Sequence, residues 1–244
     1  MFEDNNRNYF GSAQGADAGV IAKTFMSQVF TWMTLAMIIT AGTAYWFASS
    51  EAAIRSLVNV ETGGLTILGW IVTLAPLGFV ILMSFGFQKL SALAMTLLFI
   101  AFSVLMGMSL SFILLIYTSA SVFKTFIVAA GMFGIMSVAG YTTKTDLTKF
   151  GSILMMGLIG IMIAMLVNFF MHSSTMEYII SVLGVLIFTG LTAYDVQRLK
   201  RIGAGAGSFG EENAKKASIL GALTLYLDFI NLFLFLIRFL GDRK

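Results

Sequence analysis

The sequence predicts an all-α integral membrane protein of seven transmembrane helices, and three observations carry that prediction. Of its 244 residues 58% are hydrophobic and 11% charged, whereas a soluble domain carries roughly 25% charged residues. Seven apolar runs approach or exceed the roughly 20 residues that a bilayer crossing needs. The segments between them are short, so consecutive spans are antiparallel and residues 21–244 form one domain.

Residues 1–20 are polar and hold no early apolar core of the kind a cleavable signal carries, so they are expected to form a mobile tail. The first span is expected over Phe25–Ala48. The second, Thr66–Gly86, contains the only proline, Pro76, a natural kink point. The third, Leu90–Tyr117, carries Ser103, Gly107 and Ser111 at spacing four, a small-residue ridge that lets another helix approach closely. The fourth is Val122–Gly140. The fifth is Phe150–Met171, with Asp146 placed to cap its start. The sixth is Tyr178–Gln197, preceded by a capping box, Ser174-Thr175-Met176-Glu177. The seventh is Ser218–Leu240. The stretch from Leu199 to Ala217 reads as the longest interior loop; its glycine-rich run Gly203–Gly210 lacks the Lys-Ser/Thr of a phosphate loop and reads as a flexible connector. The methionines scattered through the spans read as core.

Lysine and arginine orient the chain. With the N-terminus in the cytoplasm, the inner loops carry Lys89, Lys144, Lys149, Arg198, Lys200, Arg201, Lys215 and Lys216, and the outer loops carry Arg55 and Lys124. The imbalance places the N-terminus inside, although Arg238, Arg243 and Lys244 then lie outside.

Several function classes are excluded or weakened. With no cysteine and one histidine there is no thiolate or histidine-rich metal site, and no nucleophile, base and orienting group come together, so enzyme action is not expected. No basic run suggests nucleic acid, and no cofactor is implied. His172, at the outer end of the fifth span, reads as an interfacial side chain.

The chemistry that remains is acidic. Asp195 and Asp228 are the two of the 12 acidic residues that lie within spans rather than in tails, loops or helix ends. An ionisable group at such a position is a functional hypothesis by default, because hydrocarbon does not solvate it. On helical spacing Ser181, Gly184, Phe188, Thr192 and Asp195 share one stripe of the sixth span, and Gly221, Thr224, Asp228 and Asn231 one stripe of the seventh. Both stripes are expected to face the bundle interior and to bring the carboxyls side by side. Two carboxylates in a low-dielectric site do not readily both ionise, so the pair can share a proton or recruit a cation such as calcium, transiently. Arg198, three residues after Asp195, and Lys89, at the inner end of the second span, are candidate ion-pair partners. Thr192, Thr224, Asn231 and Asn168 are candidate pathway-lining residues. Asp228 lies well inside its expected span while Asp195 lies near the end of its own, so contact between them requires the two helices to be offset along the membrane normal.

At these residues the sequence resembles the Bax inhibitor family, the transmembrane Bax inhibitor motif proteins. Phe188-Thr189-Gly190-Leu191-Thr192-Ala193-Tyr194-Asp195-Val196-Gln197 and Leu225-Tyr226-Leu227-Asp228-Phe229-Ile230-Asn231-Leu232-Phe233 are similar to its signatures. So are Gly107-Met108-Ser109-Leu110-Ser111 and Gly140–Leu147. The resemblance covers roughly residues 20–241. It implies a bacterial inner-membrane protein whose last helix is surrounded by the other six. It implies a pH-sensitive calcium leak with Asp195 and Asp228 as proton sensor and gate. A basic residue near the inner end of the second helix would pair with the first aspartate; Lys89 stands there, without the bidentate reach of an arginine. The interior loop after Arg201 is expected to lengthen the gap between the aspartates. Bacterial relatives that regulate a membrane-bound protease imply an alternative, a membrane-embedded regulator that contacts its partner through the N-terminal tail and the 199–217 loop.

Overall fold

The structure is a computed structural model that describes residues 3–59 and 63–244, with side chains from Gly19 onward. The polar tail expected over residues 1–20 lies outside the residues whose side chains are described, apart from its last two. The helices are α1 (Glu3–Ser49), a short α2 (Glu51–Leu57), α3 (Ile67–Phe85), α4 (Ala92–Ile116), α5 (Ser119–Thr142), α6 (Thr148–Met171), α7 (Ser174–Ala204) and α8 (Glu211–Leu240). Among the described residues, seven of them, all but α2, are long and apolar enough to cross a membrane. The protein is therefore an all-α multi-pass membrane protein.

The helix starts follow from side chains that accept orphan backbone N–H groups. Thr66 accepts from Gly69, Ser91 from Ala94 and Thr118 from Ser121. Before α6, Asp146 Oδ1 accepts from the Thr148 amide at 3.0 Å. Before α7 the cap is Ser173, which accepts from Met176, and not the expected Ser174. The shift has a cause: α6 ends at His172 in the left-handed conformation (φ 52), and Asn168 Oδ1 takes the Ser173 amide, so the next helix starts at once. Glu177 is thereby released from the capping box. Pro76 sits inside α3, which runs uninterrupted through it. The helix α2 was not anticipated; Ser50 caps it, and Glu51 pairs with Arg55 on its exposed face.

Helix α8 is the centre of the bundle. Its most apolar stretch is 72% buried, against 6% for α6. Around it, α1, α3, α4, α5 and α7 pack directly, while α6 stands outside and reaches α8 only through α7. Glycines set the closest approaches. A Cβ on Gly107 would meet the Thr40 carbonyl at 2.6 Å, so the small-residue ridge of α4 seats α1. A Cβ on Gly140 would meet the Ala193 carbonyl at 2.2 Å, so α5 lies against α7. A buried polar knot ties three helices: the Thr40 hydroxyl donates to the Ser103 carbonyl at 2.9 Å and lies 2.8 Å from the Tyr226 hydroxyl. Against this, α4 and α5 pack sparsely on one another, and α3 makes no helix–helix packing with α7.

The stretch from Leu199 to Ala217 is mostly helix, which corrects the expected flexible loop. Helix α7 runs on to Ala204, a 3-10 turn covers Ala206–Ser208, and α8 begins at Glu211. The glycines serve packing and turning here. Gly203 leaves room for the Phe25 ring of α1, and Gly210, at φ 74, makes the reversal into α8. This turn marks the connector end of the bundle, and the opposite one is the far end.

Candidate functional site

Both helices run seven residues beyond their expected ends, so the aspartates stay eight residues apart in their distance from the turn between the helices. Asp195 lies nine residues before the end of α7 at Ala204, and Asp228 lies seventeen after the start of α8 at Glu211. The connector Gly205–Gly210 takes up that difference by staggering the two helices, and the carboxyls come together. The two side chains are close enough to act on each other directly. Both residues are buried, at 6% and 5% exposure, and Asp228 Oδ2 has no hydrogen-bond donor among the described residues. Two carboxyl groups in contact need a proton between them or a cation beside them, since two bare carboxylates repel. Along the stripe on α7, Ser181, Gly184, Phe188, Thr192 and Asp195 are all buried, as an inward face requires.

A cavity of about 1060 Å³ opens between the connector-end halves of α3, α7 and α8. It occupies the space left where α3 and α7 do not pack. Val80, Leu223 and Leu227 line its apolar walls, and Ser84, Gln88, Arg198 and Thr224 give it polar edges. Asp195 reaches this cavity, and Asp228 lies behind it, outside the lining. Beyond Asp228 the Phe229 ring meets Phe126 at 5.5 Å and Phe133 at 5.6 Å, both edge-on. The carboxyl pair thus has a wide approach from one end and an aromatic cluster toward the other.

The other sequence candidates separate into those near the pair and those away from it. Arg198 is 3.8 Å from Asp195 but 60% exposed, so its pairing is a weak one. Lys89 is exposed in the turn after α3 and forms no described ion pair; its candidate role beside Asp195 is taken by Arg198. The reason is that α3 and α7 do not pack on each other, which keeps the turn at a distance. Thr224 lines the cavity while its hydroxyl donates to Leu220 O. Thr192 is fully buried, donates to Phe188 O and does not reach the cavity. The Asn231 amide donates to Leu227 O of its own helix. Asn168 holds the α6–α7 turn, on a helix that does not touch α8, so it lines no path to the pair.

Two clasps at the connector end escaped the sequence reading. Lys216, read as a loop charge, is buried; its ammonium donates to the Phe87 carbonyl at 3.1 Å and lies 5.1 Å from the Phe87 ring. One turn earlier, Glu212 accepts from the Ala92 amide at the start of α4. Together they bind the α3–α4 turn to α8. On the other side Gln197 donates to Thr145 O and accepts from the Leu147 amide, and Arg201 reaches Asp146 at 2.6 Å. Lys200 donates to Tyr141 O. This clasp binds the α5–α6 loop to α7. The Thr148 hydroxyl and amide, then Arg201, lower the Asp146 carboxyl from the ordinary 3.8 to about 2. The available signal was spacing: Glu212 and Lys216, like Gln197 and Arg201, are four apart and share a helix face.

The sequence matches the family described as "Inhibitor of apoptosis-promoting Bax1" over residues 22–244. Among curated proteins it is 49% identical to the inner membrane protein YbhL of Escherichia coli strain K12 over 222 residues, covering 91% of this chain and 93% of that one. It is 41% identical to protein RP147 of Rickettsia prowazekii over 222 residues, covering 91% of each chain. A protein of Caulobacter vibrioides is 41% identical over 254 residues, covering 99% of each. With a buried carboxyl pair carried by its last two helices and a family match across nearly its whole length, the chain belongs to the Bax inhibitor family.

Proposed function

We propose that this protein is a pH-sensitive calcium leak of a bacterial inner membrane, with its N-terminus in the cytoplasm and Asp195 and Asp228 as proton sensor and gate. The observation that carries the reading is the unpartnered Asp228 Oδ2 set against Asp195 at the inner end of a wide cavity. With one proton between them the two carboxyls form a hydrogen-bonded pair that holds α7 against α8. When that proton leaves through the cavity, the carboxylates repel each other and offer oxygen ligands to calcium, the ion such ligands suit. The resulting separation shifts α8 against its neighbours, and the aromatic contacts of Phe229 are what must part for an ion to pass. A ligand shifts such an equilibrium only through its different affinity for the two states; here protons favour the joined pair and calcium the parted one.

The test is calcium efflux from dye-loaded liposomes between pH 6 and 8, roughly the range in which a shared carboxyl proton in such a site titrates. Wild-type protein is expected to leak in a pH-dependent way, and Asp195→Asn with Asp228→Asn to leak at one rate throughout. No flux from the wild type, or an unchanged pH profile in the double variant, sinks the proposal.

A second reading is supported by α6, whose exposed, apolar outer face includes Met156, Ile159, Ile163 and Phe170. On that reading the chain binds another membrane protein, such as a membrane protease, along α6. A stoichiometric partner that co-purifies from membranes, and survives loss of both aspartates, favours it. The 199–217 segment offers such a partner little, since only its turn around Gly205–Gly210 is not α-helical.

A further inference from the structure

The last four residues do not trail from α8. Gly241 lies against the ring of Tyr117, where a Cβ would meet the ring at 2.6 Å and the Ile237 carbonyl at 2.4 Å. Beyond it the chain runs antiparallel to the α4–α5 turn. The Thr118 amide donates to Asp242 O at 3.0 Å, and the Lys244 amide donates to Ile116 O at 2.9 Å. The Asp242 amide donates to Ser121 Oγ at 3.0 Å, and that hydroxyl donates to Asp242 Oδ2 at 3.1 Å. Lys244 Nζ donates to Leu114 O at 2.8 Å, and Arg243 lies 3.6 Å from Glu177 in the first turn of α7.

The partners are the backbone groups that helix ends leave unsatisfied. Leu114 O and Ile116 O belong to the end of α4, and the Thr118 amide and Ser121 to the start of α5. Those two helices pack sparsely on each other, so the tetrapeptide supplies a tie that their own side chains do not. It also fastens a stiff rod. From Ala222 to Leu240, α8 contains neither glycine nor proline, the residues at which helices usually bend or weaken. Asp228 lies twelve residues before Leu240, or roughly 18 Å at helical rise. A displacement of the far end of α8 therefore reaches the carboxyl pair with little lost to bending.

We propose that Gly241–Lys244 is a strap that holds the far end of the central helix in register, and that its release frees α8 to move the carboxyl pair. The strap restrains the helix at its far end and the carboxyl pair restrains it near its middle, so each limits what the other can release. Its effect on flux rests on the leak reading; its effect on the motion of α8 does not.

The test compares three proteins in lipid nanodiscs and in liposomes: the full chain, a chain lacking residues 242–244, and Ser121→Cys with Asp242→Cys. The chain has no cysteine of its own, so oxidation of that pair locks the strap and reduction releases it in one molecule. Amide exchange over Tyr226–Ile237 is expected to speed up about tenfold in the shortened chain and to slow on oxidation of the cysteine pair. Calcium efflux is expected to rise about threefold or more in the first case and to fall in the second. Faster exchange confined to residues 114–121, with none around Asp228, makes the strap a local cap and overturns the proposal. Where the shortened chain fails to insert, the oxidised and reduced forms of the cysteine pair decide alone. Absence of flux from every form sinks the leak reading, while the exchange comparison still decides the strap.

Discussion

Helices α6 and α8 are both long and apolar, yet they live in opposite surroundings. The most apolar stretch of α8 is 72% buried in protein, and that of α6 is 6% buried. Hydrophobicity does not tell these fates apart, because lipid tails are as apolar as leucine side chains. What does distinguish them is what each presents inward. Helix α8 offers Gly221, Thr224 and Asp228 to its neighbours, groups that gain from close backbone approach or from a partner away from lipid. Helix α6 turns Met156, Ile159, Ile163 and Phe170 outward and packs on α7 alone. In a bilayer, the small and polar residues locate the bundle axis, and the large apolar ones locate its rim.

The sharpest way to break that comparison is to make the same substitution in both places. Gly184 of α7 faces α8, and a Cβ there would lie 2.5 Å from the buried Phe235 ring, which itself stacks on Phe188 at 5.8 Å. Gly160 of α6 has nothing within 4 Å. Alanine stabilises a helix relative to glycine by roughly 0.5–1 kcal/mol, so Gly160→Ala is expected to raise the thermal midpoint in detergent. Gly184→Ala is expected to lower it, because overpacking costs roughly 1–3 kcal/mol and outweighs the helical gain. Gly184→Leu extends the clash and is expected to abolish a single cooperative transition. Shifts of the same sign at both sites would mean that α6 and the α7–α8 contact are equally packed, and would defeat the comparison.

How much was legible in the sequence follows from the same physics. Each of the seven spans was readable as an apolar run, because a bilayer imposes a minimum length. Asp195 stood out because it ends a polar stripe, and that stripe is buried at every position named. The extensions of α7 to Ala204 and of α8 back to Glu211 were not readable. Beyond the apolar runs their residues are polar, and polar helix and polar loop look alike without partners. Lys216 shows why: its burial depends on the Phe87 carbonyl, 129 residues away in sequence. Lys89 failed in the other direction, as proximity to a helix end says nothing about which neighbour that end meets. The strap at Asp242 was invisible for a related reason, since its partners are backbone groups of a distant turn.

A second, smaller effect is expected at the Lys216 clasp. Lys216→Met keeps most of the apolar stem but leaves the Phe87 carbonyl without its donor. An unsatisfied acceptor costs about 1–3 kcal/mol where it is fully buried; Phe87 is only half-buried and lines the adjoining cavity, so water recovers part of that. Amide exchange over residues 86–92 is expected to speed up, while exchange in α6 stays as it was. Lys216→Ala removes the stem packing as well and is expected to cost more. Exchange that stays unchanged in Lys216→Met would show that Glu212 and the cap of α4 hold the turn without help.

The smallest effect belongs to the exposed clasp at Asp146. Its carboxyl is lowered from 3.8 to about 2, first by the Thr148 hydroxyl and amide and then by Arg201. A carboxyl whose folded value is depressed contributes stability that is complete above its unfolded value. That contribution is lost as pH falls through the folded one. The window is therefore between about 4 and about 2, below the range in which the Asp195–Asp228 pair is tested. Asp146→Asn removes the charge but keeps a side-chain oxygen for the Thr148 amide, so the helix cap survives and the pH dependence does not. Local exchange at residues 146–150 is expected to be pH-dependent in the wild type across that window and flat in the variant, after correction for intrinsic exchange. Because this clasp holds α6 and α7 together at the connector end without touching the carboxyl pair, calcium efflux between pH 6 and 8 is expected to be the same in both. A change in that efflux profile would mean that the rim helix and the central helix are coupled through α7, and that α6 does more than face lipid.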